Sequence, residues 1–581
     1  MPSSSKAAYH PLSTMPNEST TTLEDQPDLK HRDPLHASNL ELRKPSSLSS
    51  QPSFDTTVTY GRSGIAGIFS NKYVVLCCGL ASIGGLIFGC DQGLVAIILT
   101  LPIFKKRFHE IDSAVDGHAA FNKGLLTALI ELGALLGAAN QGWIADKYSR
   151  RYSMLIAIVW FVIGSIIQTA AIDYAMLAAG RFLGGIAIGM LSMVAPLYMS
   201  EIAPPEIRGI LLVLEEWSIV FGIVLAYWVT YGTRLLGGGL SEWTYRLPFL
   251  LQIVPAIVLG CGIIFLPFSP RWLASKGRDE ESLVALCKLR QLPSDDPRVR
   301  LEWTQIRAEV AFQQETQAER HPNLQGSGKL NALRRELAMW ADCFRRGYWR
   351  RSMVGMGLMF FQQMVGINAL IYYGPTLFES LGLSYEMQLS MAGVMNVCQL
   401  IGVTGSIFFI DNVGRRPMLM LGSAATCASQ VVVAVLVALY HDKWPANEAK
   451  AWGGVAAIFF YMVAFGLTLG PIPWAMPSEI QSSSLRAKGV ALATCSNWFW
   501  NFVIGLITPP LIDGTGYGAY VFFGAFCFLC GIWVYFFVPE TAGRSLEEMD
   551  KVFGDSAGTQ EEERRRTILA EMVRQDGQPS V

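Results

Sequence analysis

Residues 360–374, Phe-Phe-Gln-Gln-Met-Val-Gly-Ile-Asn-Ala-Leu-Ile-Tyr-Tyr-Gly, place two glutamines (Gln362, Gln363), an asparagine (Asn368) and two tyrosines (Tyr372, Tyr373) inside an apolar run of membrane-spanning length. Hydrocarbon offers such groups no partner, and each one left unsatisfied costs several kcal/mol, so they must face protein, water or a ligand. They carry many donors and acceptors and no charge, which suits a neutral, polyhydroxylated molecule. At about 100° per residue the three amides do not form one narrow stripe. Gly366 between them and Gly374-Pro375 after them point to a helix that bends or breaks where it lines a cavity. The competing reading is interhelical hydrogen-bond glue. Five such groups in one turn-rich stretch favour a binding site.

Composition sets the surroundings of this stretch. Of 581 residues, 51% are hydrophobic and only 16% charged; soluble domains average about 25% charged, so this is a membrane protein. The net charge is −1 and no basic block suggests nucleic acid. No nucleophile–base arrangement, metal-ligand spacing or phosphate loop stands out, so neither an enzyme nor a cofactor is expected. Nine of the eleven cysteines lie in apolar runs, where cysteine behaves as a small hydrophobe, and no disulfide framework is apparent.

About twelve apolar runs reach roughly 20 residues. They are 73–101, 122–145, 152–172, 174–200, 209–232, 246–267, 353–378, 387–410, 416–440, 452–477, 488–512 and 517–537, here called spans one to twelve. Between the sixth and seventh lies a polar segment, about 271–352, with Leu283, Leu286 and Leu289 at helical spacing; short amphipathic helices on the membrane surface are expected there. The layout predicts an all-α membrane protein of two six-helix halves, 71–270 and 353–538, joined by a helical linker. Residues 1 to about 70 read as a disordered tail and 539–581 as a second tail. Lys147, Arg150, Arg151, Arg208, Arg415, Arg416, Arg486, Lys488 and the Arg-rich linker all fall on one side. That side, with both termini, is assigned to the cytosol; Lys105, Lys106 and Arg107 argue the other way and are outvoted.

Two motifs recur six spans apart. Gly142-Trp-Ile-Ala-Asp-Lys-Tyr-Ser-Arg-Arg151 is echoed by Asp411-Asn-Val-Gly-Arg-Arg416, and Glu201-Ile-Ala-Pro-Pro-Glu-Ile-Arg-Gly209 by Glu479-Ile-Gln-Ser-Ser-Ser-Leu-Arg-Ala-Lys-Gly489. The second half is a copy of the first. Asp146, Arg150, Arg151, Glu201, Arg208, Asp411, Arg415, Arg416, Glu479 and Arg486 then read as interlocking ion pairs that close the cytosolic side. The competing reading is a solvated charged surface. Asp91 and Arg181 lie well inside spans one and four, where each costs roughly 2.5–3.5 kcal/mol on insertion scales, so they are the obvious pair.

These motifs resemble those of the sugar porters of the major facilitator superfamily, over about 73–550. Further similarities are Gly180-Arg-Phe-Leu-Gly-Gly185, Pro196-Leu-Tyr-Met-Ser-Glu201, Ser269-Pro-Arg-Trp-Leu273, Gly470-Pro-Ile-Pro-Trp474 and Pro539-Glu-Thr-Ala-Gly-Arg-Ser-Leu-Glu-Glu548. The resemblance implies a sugar site at mid-membrane lined by Gln362, Gln363, Asn368, Trp474, Asn497, Trp498 and Phe88. It adds a polar ligand in span eight, Gln399 in preference to Asn396. It makes Asp91 a proton carrier with Arg181 as counter-ion, and Tyr372 and Tyr373 parts of an outer gate. The implied activity is uptake of a monosaccharide or polyol by a monomer in a fungal plasma membrane, with protons as co-substrate. A passive facilitator with a static ion pair, or a non-transporting sensor, remain the alternatives. Three positions depart from the family pattern. Cys90 stands for a tyrosine. Phe268 replaces an acid, so one ion pair is expected to be missing. Glu216, preceded by Glu215, stands for a sugar-binding glutamine, with the register between the two glutamates open.

Overall fold

The computed structural model describes residues 58–61, 67, 71–324, 328–441, 443–482, 484–542, 549, 552–553 and 556–576. Most of the N-terminal tail lies outside these, as does the side chain of Asp411. A long apolar run in hydrocarbon can satisfy its own backbone only as a helix. Twelve helices are accordingly long and apolar enough to cross a membrane: Lys72–Ile98, Ala119–Tyr148, Arg150–Ala170, Tyr174–Ile202, Arg208–Thr233, Trp243–Ile263, Trp349–Glu379, Tyr385–Ile410, Arg415–Tyr440, Glu448–Ile480, Arg486–Thr515 and Gly518–Phe537. Each coincides with one of the apolar runs. Spans two, seven and ten extend several residues beyond them, because polar ends such as Trp349-Arg-Arg351 continue the helix outside the apolar stretch.

The linker forms four helices, Pro270–Ser275, Asp279–Arg290, Pro297–Arg320 and Lys329–Asp342. The leucine spacing is used inward: Leu286 joins Ala274, Val299 and Ile306 in a small core with Leu283 packed against it, while Leu289 belongs to the main core. The segment after span twelve does more than trail away. Its helix Ser556–Asp576 packs Ile568 against Ala308 and Phe312 of the linker. Glu561 there accepts hydrogen bonds from Arg320 (2.6 Å), Tyr348 (2.6 Å) and Ser484 (2.7 Å).

Small residues let the spans approach closely. Gly133 and Gly137 of span two lie against Phe182 and Ile186 of span four, and Gly185 and Gly189 answer against Ile130 and Ala134. On the face opposite the linker the two halves are bonded directly. Arg234 holds Glu386 through two hydrogen bonds (2.9 and 2.5 Å), Tyr227 donates to the Leu389 carbonyl (2.7 Å), and Tyr231 meets Ser390 (3.2 Å).

Two spans are interrupted mid-membrane. Span seven splits into Trp349–Met364 and Ile367–Glu379 around Gly366, whose φ is +95°. Span ten splits into Glu448–Leu467 and Pro471–Ile480, with Thr468 at φ −127° and ψ −72°. At Gly366 a Cβ would stand 2.6 Å from the Phe523 ring in a backbone region disfavoured for L-residues. Gly366→Ala is therefore expected to destabilise the fold by about 1–3 kcal/mol, read as a lowered thermal midpoint in detergent.

Candidate functional site

The breaks in spans seven and ten bring the amides together. Gln362 donates its amide to the carbonyls of Leu469 (3.1 Å) and Gly470 (2.8 Å), which the interruption of span ten leaves without helical partners. Its own carbonyl accepts from Asn497 of span eleven at 2.8 Å. Gln363 accepts from Asn368 at 2.6 Å across the Gly366 break. All four side chains are buried. Glue and binding surface are thus one object here: the network holds spans seven, ten and eleven while lining the centre of the molecule.

The two halves meet over aromatic rings. Phe88 of span one packs edge-on against Trp498 at 5.0 Å between centroids, and the indole of Trp498 donates to Ser192 of span four at 3.2 Å. Trp474 is half-buried in the first turn after the span-ten break. Both span-eight candidates are buried: Asn396 has both polar atoms without a partner, Gln399 only its carbonyl oxygen. Glu216 points across to span ten, its Oε1 lying beside Gly470, whereas Glu215 packs against Gly85 of span one with both oxygens unpartnered. The residue that replaces the expected glutamine is thus the one at the break.

Asp91 and Arg181 do pair. Their closest approach is 3.5 Å, both are at most 2% exposed, and neither Asp91 oxygen accepts a hydrogen bond. Arg181 is held in place by donating Nε to the Leu126 carbonyl of span two at 2.8 Å. A third buried charge, Glu131 of span two, accompanies them and is absent from the sequence reading, although a carboxylate amid Leu, Ile and Gly carries the same signal as Asp91. Tyr372 donates to Glu131 and accepts from Gln92 of span one at 2.8 Å, so this tyrosine closes the outer side across both halves. Tyr373 donates instead to the Gly505 carbonyl at 2.8 Å, within its own half.

The repeated charges form two matching clusters on the linker side. Arg150 donates to Glu201 (2.7 and 3.1 Å), Asp146 (3.0 Å) and the Ala145 carbonyl (3.1 Å). Arg415 donates to Glu479 (3.1 Å) and the Ile410 carbonyl (3.1 Å). In this conformation each cluster lies within one half and does not bridge the two. Arg208 and Arg486 make no ion pair among the described residues, and they lie within electrostatic reach of each other across the halves. Asp411 falls on an undescribed side chain.

Phe268 has the consequence expected of a lost acid, with a substitute. Arg151 makes no ion pair among the described residues; its guanidinium lies 4.6 Å over the Phe268 ring and donates to the Ile264 carbonyl at 3.1 Å. In the other half Glu540 keeps its carboxylate, accepting from the backbone N–H groups of Arg415 and Arg416 (3.0 Å each) at the start of span nine. Burial pushes this carboxyl up, but the N–H groups of Ala542, Arg415, Arg416 and Thr541 outweigh it and hold it below its ordinary range.

A family profile described as "Sugar (and other) transporter" matches residues 77–553. The chain is 30% identical over 522 residues to the MFS glucose transporter mfs1 of Aspergillus flavus, covering 86% of this chain and 94% of that one. It is 33% identical over 486 residues to the sugar transporter STL1 of Saccharomyces cerevisiae, covering 82% and 80%. The solved proton:xylose symporter XylE, bound to 6-bromo-6-deoxy-D-glucose, superposes with a TM-score of 0.67 at 24% identity over 83% of this chain and 99% of that one, a likeness of fold.

Truncating Gln362 strands two carbonyls and the Asn497 amide, whereas truncating Gln363 frees only Asn368. Gln362→Ala is expected to cost about 1–3 kcal/mol of stability and Gln363→Ala less, compared by thermal unfolding without ligand.

Proposed function

The chain belongs to the sugar (and other) transporter family, a family of transporters rather than enzymes, and from that premise we propose that it takes up a monosaccharide or related polyol by proton-coupled alternating access. The observation that carries this reading is the Asp91–Arg181 pair, an acid and a base buried at most 2% exposed between spans one and four. A carboxylate without hydrogen bonds in so dry a place is easily neutralised by a proton when water reaches it, and the nearby guanidinium sets how readily it lets that proton go. Its neighbours supply the sugar side: amides of spans seven and eleven, the Phe88 and Trp498 rings, and the unpartnered groups of span eight. Amides match adjacent hydroxyls, and ring faces match the C–H surface of a sugar.

In this conformation Tyr372 and the Arg234–Glu386 pair join the halves on the face opposite the linker. With the Lys/Arg-rich linker side assigned to the cytosol, the outside is closed. Rocking the other way brings the Arg150 and Arg415 clusters together and opens Asp91 to the exterior. Both termini are then cytosolic, and uptake across the plasma membrane is the direction that a proton gradient would drive.

Glu216 bears on the substrate. A carboxylate beside Gly470 accepts hydrogen bonds only, unless protonated, so the ligand must present hydroxyl donors there and carry no negative charge.

In proteoliposomes, wild type should accumulate labelled D-glucose or D-xylose against its gradient when the outside is acid. Asp91→Asn should abolish that accumulation while sparing exchange, and accumulation unchanged in the mutant rules out coupling through Asp91. Across hexoses, pentoses, polyols and sugar acids, Glu216→Gln should relax discrimination against the acids by about tenfold, or 1.4 kcal/mol. An unchanged profile refutes a selective role for Glu216.

A further inference from the structure

Glu131 is a buried carboxylate for which the reading above has no task. It sits in the middle of span two, 1% exposed; one oxygen is bonded by the Tyr372 hydroxyl, and the other has no partner. Every neighbouring element contributes something to its electrostatics. Span one brings Asp91, with the Cys90 thiol beside it, and the neutral amide of Gln92. Span four brings Arg181, within electrostatic reach of Glu131, as is Asp91. Span seven brings Tyr372 and Tyr373. Span eleven brings only neutral groups, Asn501 and the Gly505 carbonyl. On span two itself the nearest charge is Lys123, two turns away.

The cluster therefore sets two carboxylates against a single guanidinium in a site closed to water. With both acids ionised it carries one uncompensated negative charge, and one Glu131 oxygen has nothing to accept from. A proton on either acid removes the excess, as it does wherever two carboxylates share a dry site. Asp91 lies beside Arg181. Glu131 has only a neutral phenol. The proton belongs on Glu131.

We infer that Glu131 is a second proton-binding carboxylate of this transporter, loaded as the face opposite the linker closes over it through Tyr372. The inference rests on the alternating-access reading, since Glu131 meets water only if that face opens. Opening withdraws span seven from spans one and two, breaks both hydrogen bonds of Tyr372 and hydrates the carboxylate. Closing strips that water away. The step balances simply: a proton from external water forms one O–H bond on Glu131, its charge goes from −1 to 0, and reopening returns the proton to water. External acid thereby favours the closed face independently of any sugar.

The test follows the face itself. Spin labels are placed at Phe121→Cys and Thr515→Cys, exposed positions at the outer ends of spans two and eleven, with the exposed Cys261 replaced by Ser. Distance distributions of the full chain in lipid nanodiscs are compared at about pH 5 and about pH 8, above and below which the reference carboxylate and histidine values fall. Wild type should show the short distance at acid pH and gain a longer one at alkaline pH. Glu131→Gln, which mimics the neutral acid, should show at alkaline pH the distribution that wild type shows at acid pH. Tyr372→Phe, which keeps the carboxylate, should displace the midpoint of the response, and adding it to Glu131→Gln should change nothing further. A Glu131→Gln response equal to wild type, or no wild-type response, overturns the inference. Failure of proton-driven sugar accumulation with the closure response intact instead overturns the coupling through Asp91 and leaves Glu131 as inferred.

Discussion

A helix interrupted in hydrocarbon leaves carbonyls that no water can reach, and the centre of this protein is arranged around that constraint. Span ten breaks at Thr468–Gly470, and the Gln362 amide supplies the donors that the break removes. Asn497 then satisfies the Gln362 carbonyl, which ties span eleven into the same network. Because each group is answered by a named partner, the positions of spans seven, ten and eleven are mutually determined. Trp474, Trp498 and Glu216 inherit their places from that arrangement. An interruption that would be a defect elsewhere is what gives the interior a polar surface, and the amides that repair the backbone are the ones that face the ligand space.

Much of this was legible in the residues. The twelve spans follow from apolar length alone, because hydrocarbon permits few other structures, and the Asp91–Arg181 pair follows from the cost of lone charges there. The breaks at Gly366 and before Pro471 were signalled by glycine and proline. What could not be read was partnership over distance. The acceptors of Gln362 lie 107 and 108 residues away and the phenol on Glu131 241 away, with no periodicity to connect them. Glu131 shows the limit sharply, since its local signal equals that of Asp91 and only its neighbours separate the two. The choice between Glu215 and Glu216 likewise needed the facing elements, Gly85 on one side and Gly470 on the other. Nothing in the polar segment after span twelve announced a helix docked through Glu561, because its anchors are drawn from the linker, span seven and the loop before span eleven.

The repeat visible in the motifs is also a repeat of chemistry. Arg150 and Arg415 each hold an acid from the end of the fourth span of their half and a carbonyl five residues back in the helix before. Their acids are engaged within each half while the opposite face is closed, and Arg208 and Arg486 confront each other without one. Two like charges brought closer would repel, so any approach of the halves on the linker side requires those acids to be shared. Which face closes is thus a contest between a few well-placed charges on one side and hydroxyl and phenol contacts on the other.

The halves are unequal in one respect. At the start of span nine a carboxylate, Glu540, caps the backbone; the matching place before span three has Phe268 under Arg151. Because Glu540 is held below its ordinary range, its contribution is full above the unfolded value and fades as pH falls through the folded one. The ring beneath Arg151 has no proton to gain. Acidification of the cytosol should therefore loosen the second half while leaving the first untouched, giving a duplicated fold one acid-labile and one acid-indifferent hinge.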